Sequence, residues 1–246
     1  MRWETSGARA FVIGGPASPA VKGLLIANVA VFLFQSFART FAQVRLDRLF
    51  GLVPYEVVHH FFLWQMATYM FLHGGLLHIA FNLLALWMFG SELESIWGTR
   101  RFLRFYLITG IGAAILSVLV TPNSQIPIIG ASGAVYGLLA AYGILFPERV
   151  ILLYFVIPVR AKYLVMILGT ITFWSSLSTT GGGVAHVAHL GGMVFGWLYL
   201  RGPRWPRFGI PWRGGVAKWR KARLRKKFRV YYQKTRGEDD EPDRDR

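Results

Sequence analysis

The chain has 246 residues, of which 54% are hydrophobic and only 16% charged, and its mean hydropathy is +0.40. Soluble domains are about one quarter charged, so this composition excludes an ordinary soluble domain and favours a membrane protein. The lack of cysteine excludes disulfides, thiolate metal sites and a cysteine nucleophile. Much of the net charge of +16 lies from Arg201 onward, where 16 Lys and Arg face 6 Asp and Glu.

Six apolar segments are long enough, or nearly so, to cross a bilayer, which takes about 20 residues. They are residues 21–37, 77–89, 102–120, 132–146, 163–177 and 185–200. About 20 mixed residues precede the first segment and no small-residue cleavage site follows it, so we expect a retained membrane helix. The sequence therefore predicts an all-α polytopic membrane protein with six transmembrane helices.

The positive charges predict how these helices are oriented. The connections after the second and fourth segments carry Arg100, Arg101, Arg104, Arg149, Arg160 and Lys162, and those after the third and fifth carry no Lys or Arg. Because cytoplasmic loops are enriched in Lys and Arg, both termini are expected in the cytoplasm. Three arginines of the first outer loop, Arg39, Arg45 and Arg48, oppose this rule. The short chain and six-helix layout suggest a prokaryotic inner membrane.

The first outer loop, residues 38–76, is too apolar for a solvated loop and too broken for a membrane helix. We expect it to lie partly in the membrane, packed on the helices. The stretch VILLYFVIPVRAKYL is interrupted by Pro158, Arg160 and Lys162, which indicates an interfacial connection. Three parts are therefore expected: a cytoplasmic segment 1–19, a six-helix domain 20–201, and a basic cytoplasmic tail 202–246. This tail is expected to be partly disordered or bound to anionic lipid.

Few polar side chains interrupt the predicted helices. Three pairs of them lie on one helix face each: His78 with Asn82, Ser132 with Tyr136, and His186 with His189. A serine hydroxyl becomes a nucleophile when a base, most often histidine, takes its proton. Hydrogen-bond donors must then stabilise the oxyanion that forms. Because no carboxylate is predicted at the same depth, these residues favour a Ser-His dyad.

Glycines recur at four-residue spacing in two of these helices. The fourth contains Gly133 and Gly137, and the sixth contains Gly192 and Gly196. Small residues let membrane helices approach closely. If the two glycine stripes faced each other, Ser132 could reach a histidine of the sixth helix.

The stretches HGGLLHIAFN, GSELESIWG, GASGAVYG and AHLGGMVFG occur in this order and resemble the rhomboid family of intramembrane serine proteases. The resemblance covers about residues 22–200. It implies a six-helix rhomboid-like bundle with a membrane-embedded first loop. It also implies an endopeptidase that cleaves transmembrane segments of membrane-anchored proteins near the outer membrane face. Its partners would be transmembrane protein substrates and the lipid bilayer, without a nucleic acid and without a cofactor.

The resemblance also implies which residues carry the reaction. Ser132 occupies the G-x-S-G pattern of Gly130 to Gly133 and would be the nucleophile. His189, followed by Gly192 and Gly196 at the family's spacing, would be the general base. The glycine spacing favours His189 over His186, which is the alternative base.

The remaining matches imply supporting roles. His78 and Asn82 would form the oxyanion hole with the serine N–H, and Tyr136 would stack on the catalytic imidazole. His73 would brace the first loop. Glu94, before a glycine at the inner end of the second helix, would be a structural carboxylate.

Two other functions use part of this pattern. A rhomboid-like protein could bind membrane clients without cutting them, although such relatives typically lack the serine or the histidine. A membrane protein that ligates haem or a metal could use His73, His78, His186 and His189. Haem or metal binding leaves Ser132 and Asn82 unexplained.

Overall fold

The structure, a computed structural model, describes residues 16–153, 156–177 and 183–202, which are mostly helical. In chain order the helices are α1 (Pro19–Phe41), α2 (Leu46–Phe50), α3 (Pro54–His60), α4 (Gln65–Thr68), α5 (Leu76–Ala85), α6 (Ser91–Trp97), α7 (Thr99–Val120), α8 (Ser132–Leu145), α9 (Ala161–Ser176) and α10 (Gly183–Arg201). A π-helical turn, Leu86–Gly90, joins α5 to α6 into one rod.

Among the described residues, three helices are long and apolar enough to cross a membrane: Pro19–Phe41, Leu76–Trp97 and Thr99–Val120. The helix Ser132–Leu145 is apolar but shorter. The helical membrane character predicted from composition is thus confirmed. The count of six transmembrane helices stays a prediction.

The second membrane helix is longer than the predicted segment 77–89, because it continues to Trp97. Glu94, which lies in this added part of the helix, is buried. Glu94 is 3% exposed and accepts hydrogen bonds from the backbone N–H groups of Ala20 and Val21, at 2.9 and 3.0 Å. It also accepts from the hydroxyls of Ser18 and Thr99. This carboxylate therefore supplies acceptors for the first N–H groups of α1, which the helix itself leaves unpaired.

The first outer loop contains α2, α3, α4 and a 3₁₀ turn, Tyr69–Phe71. Gln65 is fully buried and holds the loop together: its Oε1 accepts from the N–H of Val53 at 2.9 Å, and its Nε2 donates to the carbonyl of Arg48 at 3.2 Å. Leu52 exchanges backbone hydrogen bonds with Ile128, at 2.9 and 2.8 Å. The loop is thereby attached to the segment that precedes α8.

Arg45, one of the arginines that opposed the orientation rule, is paired within this loop. Its guanidinium lies 2.6 Å from the carboxylate of Asp47 and holds the pKa of that carboxyl below its ordinary value. The local positive charge of the outer loop is therefore smaller than the count of arginines suggests.

Between α8 and α9 the chain forms two antiparallel strands, β1 (Val150–Leu153) and β2 (Ile157–Arg160), which an all-α prediction misses. Two backbone bonds close the base of this hairpin, from Ala161 N–H to Arg149 carbonyl at 2.8 Å and from Lys162 N–H to Pro147 carbonyl at 3.2 Å. The sequence indicated a connection here and did not specify strands, because β-branched residues in an apolar run suit a strand as well as a membrane helix.

Some predictions lie outside the described residues. These predictions concern the N-terminal segment 1–19, the tail 202–246 and the connection between α9 and α10, most of which the structure does not describe.

Candidate active site

Ser132 is the first residue of α8 and follows a turn at Gly130. Gly130 has a φ of +121°, a conformation that favours glycine, and its N–H donates to the carbonyl of Tyr69 at 2.9 Å. A Cβ at Gly130 would lie 2.7 Å from His78 Nε2. Glycine is needed here both for the backbone conformation and for the space beside the histidine.

His189 of α10 reaches this serine, although 57 positions separate them in the chain. Its Nε2 lies 2.7 Å from Ser132 Oγ, a normal hydrogen-bond distance. The ring of His186 lies edge-on to that of His189, with centroids 5.7 Å apart and planes at 78°. The structure thus brings His189 into hydrogen-bond contact with the serine and places His186 beside it.

The contact depends on the close approach of α8 and α10. A Cβ on Gly192 would lie 1.8 Å from the carbonyl oxygen of Gly133, and one on Gly196 would lie 3.1 Å from that of Gly137. The two glycine stripes therefore face each other with backbone against backbone.

Tyr136 lies one turn after the serine, and its ring is stacked on the imidazole of His189. The centroids are 4.3 Å apart and the planes differ by 1°. At the far end of the ring, the hydroxyl of Thr172 on α9 donates to Tyr136 Oη at 3.4 Å. Tyr136 was singled out in the sequence, whereas Thr172 was not.

His78 also lies close to the serine, because a Cβ built on Gly130 would be near both His78 Nε2 and Ser132 Oγ. Its Nδ1 accepts the backbone N–H of Gly74 at 3.1 Å, so in the neutral ring the proton is on Nε2, the atom next to Gly130. Asn82 is buried, and its Nδ2 donates to the carbonyl of His78 at 2.8 Å. His78 therefore presents an N–H donor near Ser132, while one N–H of Asn82 is used within its helix.

His73 lies just behind this group and is 1% exposed. Gln35 of α1 accepts its backbone N–H and donates to its carbonyl, both at 3.1 Å. The His73 ring meets that of His78 edge-on, with centroids 5.2 Å apart. Burial, followed by the charge of His78, lowers the pKa of His73 to about 4, so its imidazole is neutral at pH 7.

Sequence reasoning missed three residues that hold this site: Gln35, Tyr69 and Thr172. Tyr69 is buried, donates its hydroxyl to the carbonyl of Gly110 at 2.7 Å, and accepts the N–H of Gly130 with its own carbonyl. The available signal was a polar side chain within an apolar run, VFLFQSF for Gln35 and GTITFW for Thr172.

Within the part of the chain that the structure describes, no three His, Asp or Glu side chains are grouped so that they could hold a metal ion. The predicted site histidines are paired by ring contacts instead, His73 with His78 and His186 with His189.

The fold and the site together define a helical membrane protein with a serine and a histidine in contact between two helices. A family model for the Rhomboid domain matches residues 60–202, and the chain belongs to the rhomboid family. The resemblance seen in its motifs is thereby confirmed, and the protein is an integral membrane protein.

Several relatives are similar to this chain. The Rhomboid protease GluP of Bacillus subtilis is 32% identical over 148 residues, covering 59% of this chain and 27% of that protein. The Rhomboid protease AarA of Providencia stuartii is 30% identical over 194 residues, covering 71% and 69%. Rhomboid protein 1, mitochondrial, of Saccharomyces cerevisiae is 34% identical over 135 residues, covering 52% and 38%. The chain thus spans well under half of the length of the first and third of these relatives.

Proposed function

We propose that this protein is an intramembrane serine endopeptidase that cleaves transmembrane segments of membrane-anchored proteins. The observation that carries the proposal is the distance of 2.7 Å between Ser132 Oγ and His189 Nε2. The similarity to GluP and AarA, both of which are rhomboid proteases, supports the same activity. We assign the activity to residues 20–201, in a prokaryotic inner membrane with both termini in the cytoplasm.

In the proposed reaction, Ser132 Oγ attacks the scissile carbonyl carbon while His189 Nε2 takes the hydroxyl proton. The carbonyl oxygen becomes an oxyanion, which His78 Nε2–H, an Asn82 N–H and the Ser132 N–H would hold. The backbone N–H of Ser132 suits this role because the first N–H groups of a helix have no partner within it. His189 then gives its proton to the leaving amine, and an acyl-enzyme remains on Ser132.

Water completes the cycle. His189 takes a proton from a water molecule, the resulting hydroxide attacks the acyl carbon, and the returned proton restores the Ser132 hydroxyl as the carboxylic acid leaves. Stacking on Tyr136 keeps the imidazole in one plane through both halves of the reaction. No cofactor takes part in these steps.

The first test is the replacement of the nucleophile. Ser132→Ala should abolish cleavage of a reporter transmembrane substrate in proteoliposomes, and a fluorophosphonate probe should label only the wild type. Equal cleavage by the variant would falsify the proposal. Client binding without any cleavage by the wild type would instead assign the chain to the non-catalytic class.

The second test separates the two histidines. His189→Ala should lower kcat by about 10³-fold or more, in the range seen when a member of a serine–histidine pair is removed. His186→Ala is the matched variant, since its ring is beside that of His189. It should keep most of the activity. If only His186→Ala were inactive, the assignment of the base would be wrong.

A further inference from the structure

Thr172 occupies an unusual place on α9. Its side chain is 2% exposed, whereas Ile171 and Phe173 on either side are 55% and 54% exposed. At this level α9 therefore turns a single hydroxyl toward the interior and apolar side chains outward. A buried hydroxyl is costly unless it is hydrogen-bonded, so its partner is informative.

Buried hydroxyls in helices commonly bond to a carbonyl one turn earlier in the same helix. Two hydroxyls of α7 do so: Thr109 donates to the carbonyl of Phe105 at 3.0 Å, and Ser117 to that of Ala113 at 2.9 Å. The hydroxyl of Thr172 instead crosses to another helix and donates to Tyr136 Oη at 3.4 Å. The bond therefore links α9 to the ring that is stacked on His189.

The imidazole needs such a restraint. In a Ser-His-Asp triad a carboxylate fixes the orientation of the histidine ring. In the dyad proposed above, the Tyr136 ring lies parallel to the imidazole at 4.3 Å and limits its rotation. Tyr136 can itself turn about its side-chain bonds, and a hydrogen bond at its Oη opposes that rotation.

We propose that Thr172 is a positioning residue for this reaction, which acts through Tyr136 to keep His189 Nε2 directed at Ser132. The inference rests on the proposed function and extends it to a third helix. The hydroxyl of Thr172 contacts Tyr136 Oη, so we expect its loss to change kcat and leave KM unchanged.

The experiment compares Thr172→Val, which keeps the shape and removes the hydroxyl, with Thr172→Ser, which restores it. Thr172→Val should lower kcat and the rate of fluorophosphonate labelling of Ser132 by about fivefold, as expected for the loss of one hydrogen bond that orients the base. Thr172→Ser should regain most of both rates. Ser117→Ala is the matched control, because it removes a buried hydroxyl that donates to the carbonyl of Ala113 in the same helix. Both rates should stay unchanged in this variant.

A double-mutant cycle decides whether the effect passes through the ring. In a Tyr136→Phe background, which has no Oη, Thr172→Val should cause no further loss. An equal loss in both backgrounds would show that Thr172 acts through helix packing and would overturn the inference. So would an unchanged kcat in Thr172→Val. Cleavage that persists in Ser132→Ala would instead overturn the proposed function, so the two failures are distinguishable.

Discussion

At the scale of single residues, the site depends on the absence of side chains as much as on their presence. Gly192 lies against the carbonyl of Gly133, so α8 and α10 touch through their backbones. The hydrogen bond between Ser132 and His189 joins the same two helices. Ser132 is next to Gly133 in α8, and His189 lies about one turn before Gly192 in α10. The distance between the helices therefore sets the distance between the two side chains.

Gly192→Ala should separate these helices. The new Cβ would lie 1.8 Å from a backbone oxygen that cannot rotate away, so we expect the free energy of unfolding to fall by about 2 kcal/mol or more. Activity should fall with it, because His189 would withdraw from Ser132. The measurements are thermal unfolding in detergent and cleavage of the reporter substrate.

Gly169→Ala is the control for this prediction. Gly169 lies within α9, and a Cβ there would meet its nearest atom, Met193 Sδ, at 3.6 Å, an ordinary contact. Alanine is the better helix former, so Gly169→Ala should leave stability unchanged or raise it. Equal destabilisation by both substitutions would show that helix separation is not the cause.

Motif reasoning found Ser132 and His189 because their sequence neighbourhoods, GASGAVYG and AHLGGMVFG, are distinctive. It did not find Thr172 or Gln35, since a polar residue within an apolar helix can face any direction until the packing is known. Glu92 accepts a hydrogen bond from Tyr142 Oη and pairs with Arg149, both at 2.7 Å, and the sequence gives no signal for either contact. Such long-range pairs depend on how the helices meet, and helical periodicity does not specify that.

At the scale of elements, the backbone of His73 connects the first outer loop to α1. The backbone of His73 bonds at both polar groups to Gln35, and its buried ring packs on His78. The loop in turn holds the segment before α8 through Leu52 and Ile128. A change in the charge of His73 therefore acts on a connected set of elements around the site.

Acidification should weaken this attachment. The folded protein binds a proton at His73 only near pH 4, whereas the unfolded chain does so near 6.5. Neutral His73 therefore makes its full contribution to the free energy of unfolding above pH 6.5. This contribution is lost progressively as the pH falls toward 4, by about 3 kcal/mol in total.

Thermal unfolding at pH 7 and pH 4.5 provides the measurement. His73→Gln is neutral at both values, so its unfolding temperature should depend less on pH than that of the wild type. Parallel pH curves for the two proteins would contradict the prediction.

At the scale of the whole molecule, composition and charge predicted the helical membrane character, and three described helices are long enough to cross. The shorter α8 and the hairpin β1–β2 were less predictable, because a short apolar run does not distinguish a membrane helix from a strand. The number of crossings and the orientation of the helices are therefore the global features to measure.

The natural lack of cysteine makes this measurement direct. Single cysteines at Arg100, Asn123 and Val156, all exposed, lie in the connections after the second, third and fourth predicted membrane helices. In the six-helix arrangement, a membrane-impermeant maleimide should label Asn123→Cys from the outside only. It should label Arg100→Cys and Val156→Cys from the cytoplasmic side only, and the wild type should stay unlabelled. Labelling of all three from one side would refute the arrangement.

The hydrogen bonds at the base of the β1–β2 hairpin also affect the tilt of α9, on which the position of Thr172 depends. The bonds of Ala161 and Lys162 hold the N-terminal end of α9, and Thr172 lies about 17 Å along the helix from it. A tilt of about 5° would then move the Thr172 hydroxyl by about 1.5 Å, enough to break a hydrogen bond of 3.4 Å. The hydrogen bond between Thr172 and Tyr136 therefore depends on the tilt of α9 to within a few degrees, and the hairpin at the start of α9 sets that tilt.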